Sequence, residues 1–172
     1  QTVNNYMDYL EGAFLIRRLN PYHANLKKRL IKSPKVYWRD TGLLHAQNNI
    51  TQISDLLAQP WVGASWEGFV IQQILSHVTT NGISCTPYFL RTSDQYEIDL
   101  LLDFGKELWA CEIKLTTNPS TADMRHLNKT AAFVAARRCF IISRVTTPII
   151  TNHSSSLDLH TFLKVLTSQQ NL

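Results

Sequence analysis

The sequence predicts an α/β (α+β) chain. Three observations point there. Residues 95–115 alternate apolar and polar side chains as two strands of a hairpin do, residues 66–78 place apolar side chains at helical spacing, and a later helical stretch leads into the apolar run Cys139-Phe140-Ile141-Ile142. The resulting order is helix, three strands, helix, strand, preceded by a smaller basic module.

That module comes first in the chain. Val3, Tyr6, Met7 and Leu10 have helical spacing and Gly12 supplies a stop. Phe14 to Leu19 and Val36-Tyr37-Trp38 read as two strands, with a chain break at Pro34 between them. Asp40 can cap a short helix through Gln47, and Asn48 to Pro60 reads as a connector with a short helix at Ile53 to Ala58. A helix followed by a two-stranded ribbon resembles part of a winged-helix unit whose remainder would lie before Gln1. Residues 1–50 are therefore predicted as a basic, winged-helix-like module and residues 51–172 as a second domain. Residues 1–50 hold eight Lys and Arg against three Asp and Glu, whereas the rest is nearly balanced, for a net charge of +4. Clustered bases are what phosphate neutralisation needs, so Lys27, Lys28, Arg29, Lys32 and Lys35 are candidate nucleic-acid contacts. A solvated linker, or a surface that docks on an acidic partner domain, explains the same run.

In the helix from Trp66 to about Val78, Val70, Ile71, Ile74 and Val78 form an apolar arc with Glu67 in its middle. A carboxylate on a core face is costly unless paired or coordinated. Either Glu67 is a first-turn acid favoured by the helix dipole, with Ser65 as the cap, or it points into a site. After the Asn81-Gly82 turn, Cys85 to Leu90 reads as the first core strand, and Arg91-Thr92-Ser93-Asp94 as a polar turn in which Arg91 is a further phosphate candidate.

The hairpin carries the chemistry. Strict alternation puts Glu97, Asp99, Leu101 and Asp103 on one face of its first strand and Ile98, Leu100 and Leu102 on the other. Gly105-Lys106 suits a two-residue turn in which glycine supplies the positive φ. Counting outward sets Asp99 opposite Glu112 and Glu97 opposite Lys114. Like charges so placed repel, and two facing carboxylates call for a cation. Mg²⁺, or Mn²⁺, suits such oxygens because it takes one or two carboxylates and keeps its waters.

Asp99, a turn, then Glu112-Ile113-Lys114 resembles the Asp…(Asp/Glu)-x-Lys signature of the restriction-endonuclease-like PD-(D/E)XK superfamily, with Ile98 where the proline stands. A narrower resemblance rests on Tyr9-Leu10-Glu11, Ala13-Phe14-Leu15-Ile16, Lys32-Ser33-Pro34-Lys35-Val36-Tyr37, Asp40-Thr41-Gly42-Leu43, Trp66-Glu67-Gly68-Phe69-Val70 and the hairpin. Together these resemble the C-terminal domain of unknown function that follows the AAA-type ATPase domain in many prokaryotic ATPases. The resemblance implies a restriction-endonuclease-like core: a mixed four-stranded sheet flanked by helices, in the order αβββαβ. It also implies a metal held by Asp99, Glu112, the Ile113 carbonyl and Glu67, with Lys114 beside the nucleophile. The partners it implies are DNA and an upstream ATPase domain of the same chain.

Beyond the hairpin, Ser120-Thr121-Ala122-Asp123 has the spacing of a capping box, and the helix to Ala136 turns Met124, Leu127, Ala131 and Val134 inward, with Arg125 and Lys129 on the outer face. The run from Arg138 to Ile142 suits a central or parallel strand. Asn152 to Ser156 reads as a polar loop and Thr161 to Leu166 as a last helix. Three scattered cysteines, Cys85, Cys111 and Cys139, and six histidines without paired spacing exclude a zinc motif and a disulfide framework. No apolar run reaches the length of a membrane span and no signal peptide opens the chain, so a cytoplasmic fragment of a longer protein is expected. Two functions compete: metal-dependent hydrolysis of DNA, or a catalytically silent module that couples an ATPase to DNA or protein.

Overall fold

The computed structural model describes residues 2–22 and 31–168. Helix α1 (Thr2–Gly12) leads into strand β1 (Ile16–Leu19), which pairs antiparallel with β2 (Lys35–Trp38) as a separate two-stranded ribbon. Short helices α2 (Thr41–Gln47), capped by the Asp40 side chain on the Gly42 N–H, and α3 (Ile53–Leu57) follow. The ribbon is tied to the rest of the chain by backbone. Phe89 N–H donates to Asn20 C=O, Tyr22 N–H to Phe89 C=O, and Ile31 N–H to Arg91 C=O.

Helix α4 (Val62–Thr80) starts a turn earlier than the apolar arc indicates, with Trp61 at its N-cap position. Ser65 is therefore inside the helix, where its hydroxyl meets the His45 ring at 2.8 Å, and it does not cap. Glu67 consequently lies beyond the first turn.

The main sheet has five strands, one more than expected: β3 (Thr86–Arg91), β4 (Glu97–Asp103), β5 (Leu108–Ile113), β6 (Arg138–Ser143) and β7 (Ser154–Asp158), in that spatial order. The sheet is mixed, β3-β4-β5 antiparallel and β5-β6-β7 parallel. The additional strand β7 covers much of the stretch expected to be a loop. Serines hide its pattern, since Ser155 is buried yet satisfied, accepting from Thr151 N–H and donating to Thr151 C=O. Helix α5 (Thr121–Ala131) ends earlier than expected, in a 3-10 turn over 132–134, and α6 (Leu159–Ser168) closes the fold.

The two sheet faces hold separate cores. On one, Val70, Ile71 and Ile74 of α4 and Phe162 and Leu166 of α6 pack on Leu100, Leu102, Trp109, Cys111, Phe140 and Ile142. On the other, Leu127 and Ala131 of α5 pack on Ile98, Leu101, Ala110, Cys139 and Ile141. Each fully buried large apolar side chain contributes about 1.5–3 kcal/mol. Among the described residues no helix is long and apolar enough to cross a membrane.

Ile98 and Leu101 thus share a face, which strict alternation forbids. The cause is a β-bulge. On β3 two steps separate Tyr88 from Leu90, whereas their partners Leu101 and Ile98 on β4 are three steps apart. Asp99 and Leu100 together oppose one residue, and the extra residue reverses the side from which Asp99 projects.

Candidate active site

The hairpin turn forms as the sequence indicates. Gly105 has a φ of 79°, Phe104 N–H donates to Glu107 C=O at 3.0 Å, and the register runs from Asp103 opposite Leu108 to Leu100 opposite Cys111. The expected opposition of Asp99 to Glu112 ends at the bulge. Asp99 turns to the α4 side, where one carboxylate oxygen lies 3.4 Å from Lys35 Nζ and the other accepts the Ile113 N–H at 2.9 Å. Glu112 alternates with Cys111 and Ile113, which face the α4 core, so it projects towards α5. Nor does Glu97 reach Lys114 across the hairpin: Glu97 meets Lys35 and Arg91, and Lys114 meets Glu112 and Asp123.

The centre of the site is an ammonium group. Lys35 Nζ lies 2.5 Å from Glu97, 3.0 Å from Glu67 and 3.4 Å from Asp99, with only 18% of its side chain exposed and the Phe89 ring 5.6 Å away. Tyr37, two residues along the same face of β2, donates its hydroxyl to Glu67. Its ring lies against Gly68, where an added Cβ would come within 3.2 Å of the ring edge. Glycine at that point lets the ribbon lie close to α4.

Lys35 among the three carboxylates and Arg91 on Glu97 alone leave an excess of negative charge around Glu67 and Asp99. Burial, followed by the charges of Glu67 and Glu112, pushes Asp99 up to about 7 against the opposing pull of Lys35 and the Ile113 N–H. Burial also raises Glu112, with Lys114 opposing it. Although burial works against a charged Lys35, the Glu67 and Asp99 carboxylates outweigh it and raise its affinity for a proton. Tyr37 is likewise raised, by burial and then by the Glu67 charge. Beside this group Lys114 bridges Glu112 at 3.3 Å and Asp123 at 3.4 Å, and Asp123 completes the predicted capping box with Ser120.

Of the predicted site residues, Glu67 and Asp99 meet at Lys35, Glu112 and Lys114 form a neighbouring pair, and Ile113 enters through its N–H. Arg91 stands at the rim, 3.4 Å from Glu97. Lys32 is exposed and follows Ile31, whose N–H bonds to the Arg91 carbonyl, so its backbone passes close to that of Arg91. Lys35 is engaged by the acids instead of standing on the surface. Lys27, Lys28 and Arg29 lie outside the described residues. Tyr37 and Asp123 were missing from the expected set. Parity places Tyr37 on the same ribbon face as Lys35, but nothing local in the sequence shows that this face covers α4.

The donors fit a hard divalent cation in kind, since they are all oxygens, and the Lys35 ammonium marks a cation position that three of them share. Their present arrangement belongs to that lysine: among the described residues no three acid, histidine or cysteine side chains are grouped to hold a metal ion.

Residues 62–159 match the family model of a domain of unknown function, DUF4143. The chain belongs to this family. Residues 1–54 match a second domain of unknown function, DUF8612, so the two matches divide the chain between α2 and α4. The DUF4143 chain is also similar to the uncharacterized proteins Rv2008c of Mycobacterium tuberculosis and Mb2031c of Mycobacterium bovis. It is 40% identical to each over 119 residues, which are 69% of this chain and 26% of theirs. The chain spans about a quarter of the length of these curated relatives. No solved structure matches it.

Proposed function

We propose that this DUF4143 chain is a metal-dependent, nuclease-like domain with a restriction-endonuclease-like core, which hydrolyses phosphodiester bonds in DNA beside an AAA-type ATPase domain of the same protein. The observation that carries the reading is the bulge at Asp99. It aims this carboxylate at Glu67 on α4 while its second oxygen stays bonded to Ile113, between Glu112 and Lys114. Two acids from different elements thereby share a cation position, and the Glu112–Lys114 pair stands next to it. Bulges concentrate where a sheet has to re-aim a side chain.

Glu67, Asp99 and Glu97 are the groups that would hold Mg²⁺ or Mn²⁺, with Glu112 beside them. When bound, such an ion supplies positive charge at the phosphodiester and an acidified water. The chain's own groups do the rest. Lys114, one third exposed and held by Glu112 and Asp123, donates hydrogen bonds to a nonbridging phosphate oxygen or an attacking water. Tyr37 keeps Glu67 in place through its hydroxyl. Arg91, at the rim of the acids, and the exposed Lys32 would neutralise flanking phosphates. About three quarters of each curated relative lies outside the matched stretch, room enough for an ATPase domain.

Cleavage of plasmid DNA with Mg²⁺ or Mn²⁺ tests this directly. Asp99→Asn and Glu112→Gln are expected to fall to background. Cleavage undiminished in Asp99→Asn would refute the assignment.

The ion pairs favour a second reading. Lys35 partly neutralises three acids and Lys114 two, so the same residues also suit a catalytically silent module that binds DNA or protein for its ATPase. A melting temperature raised by Mn²⁺ in the wild type but not in Asp99→Asn supports the first reading. DNA binding without any metal effect selects the second.

A further inference from the structure

We propose that Lys35 is a tethered counter-ion which occupies the acidic site at rest, so that a divalent cation binds only as the β1–β2 ribbon withdraws this lysine. The inference rests on the nuclease-like reading and adds regulation to it.

The argument starts from position. Lys35 is the first residue of β2, on a two-stranded ribbon that is separate from the main sheet and packs on its α4 side through Leu19 and Tyr37. Its side chain nevertheless reaches acids from two other elements, Glu67 on α4 and Glu97 and Asp99 on β4. A strand-borne ammonium at that point takes the oxygens that a hard cation would take, and the two cannot be accommodated together. Charge decides the exchange. The Lys35 ammonium, with the half-exposed Arg91 on Glu97 alone, leaves its three acid neighbours under-compensated, whereas a doubly charged ion on the same oxygens matches them better. The lysine holds its place by being tethered, at high effective concentration.

The ribbon is anchored by Leu19 in the core and by the backbone bonds of residues 20–22 and 31 to β3, whereas the side-chain contacts that hold Lys35 in place lie on one face of it. Lys35 and Tyr37 both bond to Glu67, and opposite Tyr37 on β1, Arg17 Nε donates to Gln72 of α4 at 3.0 Å. Anything that lifts this face from α4 removes the ammonium from three carboxylates at once, leaving Arg91 on Glu97 and the Ile113 N–H on Asp99. DNA drawn to the neighbouring bases Lys32 and Arg91, or a movement passed on by a preceding domain, acts at that point.

The test is calorimetric titration of Mn²⁺ into the whole chain and its variants, with chelator-treated protein. Lys35→Met is expected to bind Mn²⁺ at least tenfold more tightly than the wild type, Lys35→Arg to bind no better than the wild type, and Lys35→Met/Asp99→Asn to lose the gain. Equal affinity of wild type and Lys35→Met overturns the inference, while Asp99-dependent binding in both leaves the nuclease-like reading in place. If neither shows Asp99-dependent binding, both are overturned. A second measurement does not depend on the folding of Lys35→Met. In the wild type, saturation with Mg²⁺ is expected to move the ¹³Cε resonance of Lys35 to the value of solvent-exposed lysines; a resonance that stays in place at saturation overturns the inference.

Discussion

A carboxyl group with 11% of its side chain exposed, and within reach of the charges of Glu67 and Glu112, binds a proton at higher pH than an ordinary aspartate. This gives Asp99 a measurable effect on stability. Its value in the fold is about 7, against about 3.9 in an unfolded chain. Between these values the folded state keeps a proton that the unfolded state has released. Stability therefore falls as pH rises from about 4 to about 7 and levels off above, by at most about 1.4 kcal/mol per pH unit. Melting in chelator across this window is expected to show the decline, and Asp99→Asn to flatten it; a wild-type profile as flat as that of the variant would count against the burial of this group. Gly68 is the other decisive position. Its place in α4 disfavours the helix by roughly 1 kcal/mol relative to alanine, yet the Tyr37 ring occupies the space of a side chain. Gly68→Leu is expected to destabilise by about 1–3 kcal/mol through overpacking, read from denaturant unfolding, and to separate Tyr37 from Glu67.

At the scale of elements, the capping box of α5 serves two purposes. Ser120 accepts the Asp123 N–H, while the Asp123 carboxylate accepts from Ser120 and pairs with Lys114. Ser120→Ala is expected to cost about 1 kcal/mol of stability, and to loosen Lys114 enough that its ammonium exchanges faster with solvent by NMR. The hairpin shows how far the sequence is legible at this scale. Gly105 and the alternation of Leu100, Leu102, Trp109 and Cys111 give the turn and register correctly, because both are local properties. The bulge is not local: the additional residue on β4 is seen only against Tyr88 and Leu90 of β3. Parity carried through Asp99 consequently assigns it the wrong face. Strand β7 escapes for a different reason, since its buried serine is satisfied by hydrogen bonds and leaves no apolar signal.

For the whole molecule, the point that matters is where the ribbon sits. The sequence shows two short strands among basic residues, and such bases are read as surface by default. The backbone bonds of residues 20–22 and 31 to β3 bring the ribbon to the rim of the sheet, and Tyr37 carries it onto α4. Lys35 thus becomes part of the acidic site, which no pattern within residues 1–50 discloses. Glu67 was legible because its arc position has no apolar explanation, and Glu112 and Lys114 because their spacing survives in an unbulged strand. The most direct measurement is a crystal structure grown with millimolar Mn²⁺ and examined by anomalous scattering. A manganese peak within about 2.5 Å of Asp99 and Glu67 oxygens, with the Lys35 side chain displaced, is the predicted result. A saturated crystal with no peak at these acids and Lys35 still paired to Glu67, Glu97 and Asp99 would contradict it.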